Sequence, residues 1–294
     1  MNILTSSYTL DLTGVPTFTL TMYKELIKRG HEVIVYSPLG GRLETEMKVI
    51  KHPDRIPAPD VIISQHTPCA ISLRQAFPKI PMIFYSHGLL PEIEQPPKIP
   101  VDFYLAINEE VEKNLKAKGI PAKKISIVRD FIDTKRFISI KPIHKKLVQV
   151  LFISNYKKWK NFYRVSKACK KLGVNLTCFG SPYGRNYKIE DAINEADLII
   201  SWGRGILEAM SCERAALSFD RFEGDGYITP TTYLEARRDN FSGRVFNYNF
   251  NDDSLAAEML KYNPDCGKVN RNLILKYHEV KGGVDQILDC LNKI

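Results

Sequence analysis

The stretch MNILTSSYTLDLTGVPTFTLTMYKELIKRGHEVIVYSP, residues 1–38, has the pattern of a strand, a helix and a second strand. A short apolar segment opens it, and a loop containing Gly14 follows. Phe18, Met22 and Leu26 then recur at the spacing of one helix face, and a glycine typical of helix ends closes the pattern. HEVIVYSP is predicted to be a buried strand, so the stretch predicts a βαβ unit.

The same alternation continues along the chain. Further predicted strands are DVIISQH, PMIFYSHG, DFYLAIN, KISIVRDFID, VQVLFIS, VNLTCFG, DLIIS and RAALSFD. Near-continuous apolar strands alternating with helices predict parallel sheets covered on both faces. Residues 138–147, ISIKPIHKKL, break the series with a proline and several lysines. We therefore predict an α/β protein with two Rossmann-like parallel-sheet domains facing a cleft. Their predicted bounds are 1–140 and 147–275, and 276–294 is predicted to be a C-terminal helix crossing back to the first domain.

Composition narrows the class of protein. The chain has 294 residues, is 44% hydrophobic and carries a net charge of +9. A basic balance suits an anionic partner such as phosphates, an acidic membrane surface or nucleic acid, or only a lysine-rich surface. Six cysteines without CxxC spacing favour neither a zinc site nor a disulfide framework. The start of the chain lacks a signal-peptide pattern and no apolar run reaches about 18 residues, so we expect a cytoplasmic protein.

Two candidate sites follow strands of the second half. Lys157, Lys158 and Lys160 come after VLFIS and suit a diphosphate, although a solvated helix face is the simpler explanation of the basic run. WGRG follows DLIIS, and its glycines, Gly203 and Gly205, allow a close backbone approach at a helix start that favours anions. In this loop Arg204 adds a donor. One turn later Glu208 could accept hydrogen bonds from two ribose hydroxyls, or it could face solvent or pair with Arg204 or Arg214.

Candidates in the first half also follow strands. Gly14 lies in a loop before a helix and would let that loop pass close to a ligand, or it is an ordinary turn glycine. His87 ends a strand and could exchange a proton near a reacting centre, or it has a structural role. His66 is a weaker candidate of the same kind.

At this point the sequence resembles the large family four of retaining, nucleotide-sugar-dependent glycosyltransferases, which have the GT-B fold. TGVPTFTLTMYKELIKRGHEVIVYSP matches the family's opening glycine loop, and DVIISQH and FYSHG match its next strands. AINEEVEKNL, KISIVRDFIDTKRF and ADLIISWGRGILEAMSCERAALSFD match later family patterns in order. The matching segments span about 220 residues of the chain.

The resemblance implies roles for individual residues. Gly14 and Val15 fall at the loop that contacts the donor diphosphate or the acceptor, and His87 falls beside the transferred sugar. Lys160 corresponds to the lysine that holds the diphosphate, and Glu208 to the second glutamate of the E-x7-E motif, which binds the ribose. No bound metal is expected, because basic side chains and helix ends compensate the leaving diphosphate.

The sequence also departs from the family pattern. Asn155 stands where the family has an arginine, and Ile200 stands where E-x7-E has its first glutamate. The loop is shortened, and Gly203, Arg204 and Gly205 occupy its space. DRFEGDG and NFSGR, later in the chain, are similar to a subgroup that lacks this glutamate. The departure puts the sugar-contact chemistry in question.

We therefore predict a glycosyltransferase that moves a sugar, with retention, from a nucleoside-diphosphate sugar to a glycan, a lipid-linked acceptor or a small molecule. UDP or GDP is the expected nucleotide, and no other cofactor is expected. One alternative is a nucleotide-sugar-binding protein without transferase activity. Another is a glycosyltransferase acting on nucleic acid, although NYKKWKNFYR is the only stretch that interleaves aromatic and basic residues. Peripheral contact with an anionic membrane is a simpler use of the net charge.

Overall fold

The computed structural model describes residues 1–155, 159–180, 184, 188–220 and 223–294. These residues form two compact units, Met1–Asp130 with Val280–Ile294, and Phe131–Glu279. Each unit is a sheet flanked by helices, so the chain has a two-unit, Rossmann-like α/β fold.

The first unit is built on a parallel sheet. Its elements in chain order are β1 Asn2–Ser6, α1 Gly14–Lys28, β2 Glu32–Tyr36, β3 Val49–Ile50, β4 Val61–Ser64, α2 Thr67–Ala76, β5 Met82–Ser86, β6 Phe103–Ala106, α3 Glu109–Ala117 and β7 Ile125–Ile127. The strand order is β3-β2-β1-β4-β5-β6-β7. The order reverses between β1 and β4, and ligands of open α/β sheets bind at the carboxyl ends of strands beside such a reversal.

The core of this unit follows the pattern that the sequence predicts. Phe18, Met22 and Leu26 on α1 are buried, as are the strand residues Leu4 and Val35. Strand β1 is central in the sheet, because it pairs with both β2 and β4. The apolar face of α1 therefore fixes that helix against the middle of the sheet.

The second unit has a mixed sheet. Its elements are β8 Gln149–Ile153, α4 Trp159–Leu172, β9 Asn175–Phe179, α5 Ile189–Asn194, β10 Leu198–Ser201, α6 Arg204–Ser211, β11 Ala215–Asp220, β12 Glu223–Tyr227, α7 Pro230–Arg238, α8 Asp252–Met259 and α9 Cys266–Tyr277. The order of the described strands is β12-β11-β10-β8-β9, and β12 alone among them runs antiparallel to its neighbour. The parallel order reverses between β8 and β10, which makes their carboxyl ends the second candidate ligand edge.

The segment 138–147 is attached to the second unit. The buried carboxylate of Asp197 accepts hydrogen bonds from the backbone N–H and the ring of His144, both at 2.9 Å. The buried guanidinium of Arg214 donates to the carbonyl of Lys141 at 2.6 Å. The proline and lysines that suggested a linker are surface features of a segment whose backbone is held by buried charged groups.

The boundary between the two units accordingly lies at Asp130 and Phe131, earlier than the predicted break at 138–147. The composition of this segment reflects its exposed side chains. It does not indicate the backbone hydrogen bonds that hold the segment against the second unit. The bounds of independently folding domains stay a prediction.

The last helix, α10 Val280–Leu291, belongs to the first unit. Arg29 at the end of α1 donates to the Asp285 carboxylate at 2.5 Å and to the carbonyl of Lys281 at 2.7 Å. The glycine pair 282–283, which suggests a helix break, lies inside α10 instead. No helix among the described residues is long and apolar enough to cross a membrane.

Candidate active site

Predicted site residues of the second unit follow β8 and β10, the two strands beside its reversal. Asn155 is exposed just beyond β8, and Lys160 is exposed in the first turn of α4. The loop 202–205 follows β10 and leads into α6. Lys157 and Lys158 lie outside the described residues. The ends of adjacent parallel strands share one edge of the sheet, so these candidates belong to one ligand edge.

The start of α6 depends on its two glycines in different ways. Gly203 caps the helix with a φ of 55°, a left-handed conformation that glycine adopts most easily. Its N–H donates to the carbonyl of Phe241 at 3.0 Å. A Cβ on Gly205 would lie 2.3 Å from the Ser201 hydroxyl oxygen, so this glycine lets α6 pack closely on β10. Both glycines shape a helix start whose first N–H groups suit an anion.

Glu208 is paired with Arg204. Its Oε1 accepts from the Arg204 Nε at 2.9 Å, and the two side chains are 12% and 9% exposed. Arg204 also donates from Nη1 to the carbonyl of Phe131 at 2.8 Å. This is the pairing that the sequence left open as an alternative to ribose binding. A carboxylate has about four acceptor positions, so the pair orients Glu208 and does not by itself prevent it from binding hydroxyls.

A strained loop lies against Gly203. Asn240 and Phe241 have φ values of 56° and 54°, which are costly for residues with side chains. The Asn240 carbonyl and amide nitrogen would lie 3.8 and 3.9 Å from a Cβ on Gly203. NFSGR is notable in the sequence only as a subgroup pattern, and its position beside the WGRG loop comes from tertiary structure alone.

Asp225 on β12 holds this loop. Its buried carboxylate accepts backbone hydrogen bonds from Gly243 and Phe246 at 2.9 Å and from Val245 at 3.0 Å. Burial raises the pKa of Asp225, although the backbone donors act in the opposite direction. A single carboxylate therefore satisfies several N–H groups of a loop that has no regular structure of its own.

We expect Asp225→Asn to lower the free energy of unfolding by about 2 kcal/mol, because an amide cannot accept at both oxygen positions and leaves a buried N–H unpaired. Urea unfolding measures the change. The exposed Asp265, changed in the same way, is the control and should shift stability by less than about 0.5 kcal/mol. Equal stability of wild type and Asp225→Asn would contradict the anchoring role.

In the first unit, Gly14 and Val15 form the start of α1, which follows β1. Gly14 is exposed, and a Cβ added to it would meet nothing within 4 Å. Neither a close internal contact nor a positive φ requires glycine here. The functional hypothesis is that the absence of a side chain on Gly14 leaves space for a ligand beside the exposed start of α1. The alternative is that Gly14 is an ordinary turn glycine.

His87 follows β5 and is held by the side chain of Gln65. Gln65 Nε2 donates to the carbonyl of Ser6 at 3.0 Å and to the Thr19 hydroxyl at 2.8 Å. Because a carbonyl can only accept, the amide oxygen of Gln65 must face His87, whose Nε2 lies 2.9 Å away. The neutral His87 ring therefore carries its proton on Nε2 and presents Nδ1 as an acceptor.

Aromatic rings fix the plane of His87. Its ring stacks on Tyr85 with centroids 4.4 Å apart and meets the edge of Phe18 at 4.8 Å. Gln65 could have been noticed as a polar residue at the end of β4, but its contact with His87 joins residues 22 positions apart. The histidine is thus half-buried, oriented and placed beside the strand reversal of the first unit.

His66 has a structural role. It is 3% exposed, and its Nδ1 accepts a hydrogen bond from the backbone N–H of Tyr8 at 3.0 Å. Burial lowers its pKa to about 4, so the ring is neutral at physiological pH and holds the loop that leaves β1. His66 was the weaker candidate for a site residue than His87. Its hydrogen bond with the Tyr8 backbone is what a structural histidine makes.

A further ionisable group lies close to His87. The half-buried Glu94 side chain approaches Gly88 so closely that a Cβ there would lie 2.3 Å from Glu94 Oε2. Burial raises the pKa of this carboxyl to about 7 from an ordinary value of 4.5. The sequence does not reveal it, because EIEQ offers three similar polar side chains and only packing distinguishes them.

The raised pKa of Glu94 makes stability depend on pH. The folded protein binds this proton more tightly than the unfolded chain, so its contribution becomes unfavourable as pH rises from about 4.5 to about 7. We expect the free energy of unfolding of Glu94→Gln to rise by about 2 kcal/mol relative to that of wild type as the pH is raised from 5 to 8. Urea unfolding at both values measures it, and a difference that does not change with pH would contradict the perturbed carboxyl.

The described residues contain no group of three or more histidine, cysteine or acidic side chains arranged to hold a metal ion. The six cysteines are all free, and several are buried among apolar residues.

The sequence matches no protein-family model and no curated protein. Its fold matches solved structures. Anabaena Alr3699/HepE in complex with UDP-glucose aligns over 100% of both chains, with a TM-score of 0.68 and 13% identity. An alpha-glucosyltransferase in complex with UDP and a 13-mer DNA containing an HMU base aligns over 99% of both chains, with a TM-score of 0.67 and 11% identity.

A third similar structure is the lipopolysaccharide outer core galactosyltransferase WaaB in its apo form. It aligns over 94% of this chain and 99% of its own, with a TM-score of 0.52 and 14% identity. At such identities the likeness establishes the fold, and it agrees with the fold class that the sequence predicts.

Proposed function

We propose that this protein is a glycosyltransferase that moves a sugar from a nucleoside-diphosphate sugar to an acceptor hydroxyl. The observation that carries the proposal is the position of the candidate residues at the strand reversals of both sheets. Gly14 follows β1 at the first reversal, and His87 follows β5, the strand next to β4. Lys160 and Glu208 lie at the second reversal. UDP is the nucleotide we favour, because structures of the same fold were solved with UDP or UDP-glucose.

The second unit would bind the nucleotide. The start of α6 offers N–H groups to the diphosphate, and Lys160 and the start of α4 add positive charge. Glu208, oriented by Arg204, would accept hydrogen bonds from the ribose hydroxyls. As the bond between sugar and diphosphate breaks, negative charge grows on the leaving oxygen, and these groups stabilise it.

The first unit would bind the acceptor. His87 would hydrogen-bond a hydroxyl through Nδ1, because Gln65 fixes the proton on Nε2. Gly14 and Val15, at the start of α1, would lie against the donor diphosphate or the acceptor. Asn155 would contribute a neutral polar contact where the resembling family has a charged one. We also propose that no metal is needed, and that the product retains the anomeric configuration, which NMR of the product would test.

Two further candidate functions stay open to experiment. A nucleotide-sugar-binding protein without transferase activity would bind UDP-glucose and leave it intact. Action on nucleic acid is suggested by the DNA in one similar structure and by the net charge of +9. We favour a glycan or lipid-linked acceptor in the cytoplasm, with peripheral contact between basic side chains and an anionic membrane.

Thermal-shift screening against UDP, GDP, ADP and CMP tests the proposal first. A ligand that binds only the folded state adds about 2.7 kcal/mol of stability at 100 times its dissociation constant. We expect UDP to raise the melting temperature by several degrees and the other nucleotides by less. No shift with any nucleotide would refute the proposal, and release of UDP from UDP-glucose would separate an enzyme from a binding protein.

A further inference from the structure

Gln65 is buried where three neighbouring strands end. It directly follows β4, whose neighbours in the sheet are β1 and β5. Its side chain is 0% exposed and contacts Ser6 at the end of β1, Thr19 on α1 and His87 just after β5. A buried amide costs free energy unless its polar atoms are hydrogen-bonded, and here both the nitrogen and the oxygen have partners.

The orientation of the Gln65 amide is fixed by two independent hydrogen bonds. The carbonyl of Ser6, 3.0 Å from Nε2, has no hydrogen to donate. The Thr19 hydroxyl, 2.8 Å from the same nitrogen, donates its single hydrogen to the carbonyl of Val15 at 2.9 Å. Both neighbours must therefore accept from the amide nitrogen, so the amide oxygen faces Nε2 of His87.

His87 is consequently held in one tautomer and one plane. Its Nε2 lies 2.9 Å from an oxygen that can only accept, so a neutral ring carries its proton there and has its acceptor at Nδ1. The ring stacks on Tyr85 and meets the edge of Phe18, and both contacts oppose its rotation. The hydrogen bond at one ring nitrogen thus decides what the other nitrogen can bind.

The complete burial of Gln65 limits how it can act on a substrate. A side chain with no exposed surface does not touch a ligand, so any effect of Gln65 passes through the half-buried His87. The rotamer of the amide and the plane of the ring are both fixed when the protein folds. Orienting His87 therefore costs nothing further when a substrate binds, and this preorganisation favours both binding and reaction.

We propose that Gln65 is a positioning residue for sugar transfer, which keeps the proton of His87 on Nε2 so that Nδ1 receives a substrate hydroxyl. The proposal rests on the glycosyltransferase function proposed above. It also defines the chemistry that His87 selects. A hydroxyl can donate to Nδ1, whereas an ether or phosphate oxygen can only accept and is disfavoured there. His87 remains a hydrogen-bond acceptor throughout, and no bond forms or breaks at its ring.

Two substitutions separate positioning from a structural role. Gln65→Met occupies similar space without hydrogen bonds, and Gln65→Glu keeps an oxygen facing His87. Both variants lose the amide donors to Ser6 and Thr19, so both are expected to be less stable than wild type. If Gln65 only stabilised the fold, the two variants would lose activity together. The positioning role predicts that Gln65→Glu is the more active of the two.

Long-range proton–nitrogen NMR spectra show which ring nitrogen carries the proton, and the spectrum of His87→Phe identifies the signals of His87. We expect the proton on Nε2 in wild type and in Gln65→Glu. In Gln65→Met both nitrogens should have intermediate shifts, because neither position is then fixed. Thr19→Val is the matched control. It removes a hydrogen bond from the other end of the same amide, and the wild-type ring spectrum should persist.

Release of UDP from UDP-glucose is measured for the same variants, at a pH at which the spectra show a neutral His87 ring. Both the glucose and the water that accepts it carry hydroxyl hydrogens. We expect kcat/KM to fall about 10-fold in Gln65→Met, the loss that corresponds to one hydrogen bond, and to stay within about 3-fold of wild type in Gln65→Glu. UDP affinity in calorimetry should be unchanged in both variants.

A wild-type His87 ring protonated on Nδ1 would overturn the proposal whatever the turnover. Equal losses of turnover in Gln65→Met and Gln65→Glu would also overturn it, because the defect would then follow the fold and not the contact with His87. Failure of the wild type to release UDP from UDP-glucose would instead count against the transferase function, and the role of Gln65 in transfer would fall with it.

Discussion

Replacing Glu208 by alanine is expected to weaken UDP binding about 100-fold. Two hydrogen bonds from ribose hydroxyls to a charged acceptor contribute about 3 kcal/mol together, which corresponds to about two orders of magnitude in affinity. The low exposure of the side chain, 12%, adds to the effect because little water can replace the lost acceptor. Isothermal titration calorimetry with UDP measures the change.

The pairing with Arg204 requires a control that isolates the ribose. We expect wild type to bind 2′-deoxy-UDP more weakly than UDP, because one of the two hydroxyls is missing. Glu208→Ala should bind the two nucleotides about equally. If the variant still discriminated between them as wild type does, Glu208 would only orient Arg204, and the ribose contact would lie elsewhere.

Replacing Lys160 by alanine is expected to lower turnover by about 100-fold or more. Removal of one preorganised donor that stabilises a developing oxyanion costs about two to three orders of magnitude in kcat. Lys160 lies in the first turn of α4, where the helix end also favours negative charge, so its ammonium and the helix act on the same group. Steady-state release of UDP from the nucleotide sugar measures the rate.

Lys170 provides the matched control for this variant. It is also exposed and lies in the last turn of the same helix, roughly 15 Å along its axis from Lys160 at 1.5 Å per residue. Lys170→Ala should turn over at the wild-type rate. If both variants did so, the basic run on α4 would be a solvated surface, the simpler explanation that the sequence left open.

The fold class was predictable because it depends on short-range patterns. The spacing of Phe18, Met22 and Leu26 gives a helix with one buried face, and the apolar strands around it require cover on both sides. Strand pairing follows from such units because parallel strands need a crossover helix. The antiparallel β12 escaped prediction, since EGDGY has neither an apolar run nor a strand alternation.

Helix and linker boundaries were less predictable, because tertiary contacts overrule local preference. The glycine pair 282–283 lies within α10, where Gly283 is buried and Arg29 fixes the start of the helix against α1. The basic segment 138–147 is attached to the second unit through Asp197 and Arg214. In both cases groups more than 50 residues distant supply the deciding interaction.

The sequence by itself determined the alternation of strands and helices, and with it the strand ends at which Gly14, His87, Lys160 and Glu208 lie. These features need only the chain's own periodicity. Tertiary structure alone decided that Gln65 fixes the proton of His87, and that Glu94 is a half-buried carboxyl against Gly88. The physical reason is that proton position and desolvation depend on neighbours brought together by folding, which no local pattern encodes.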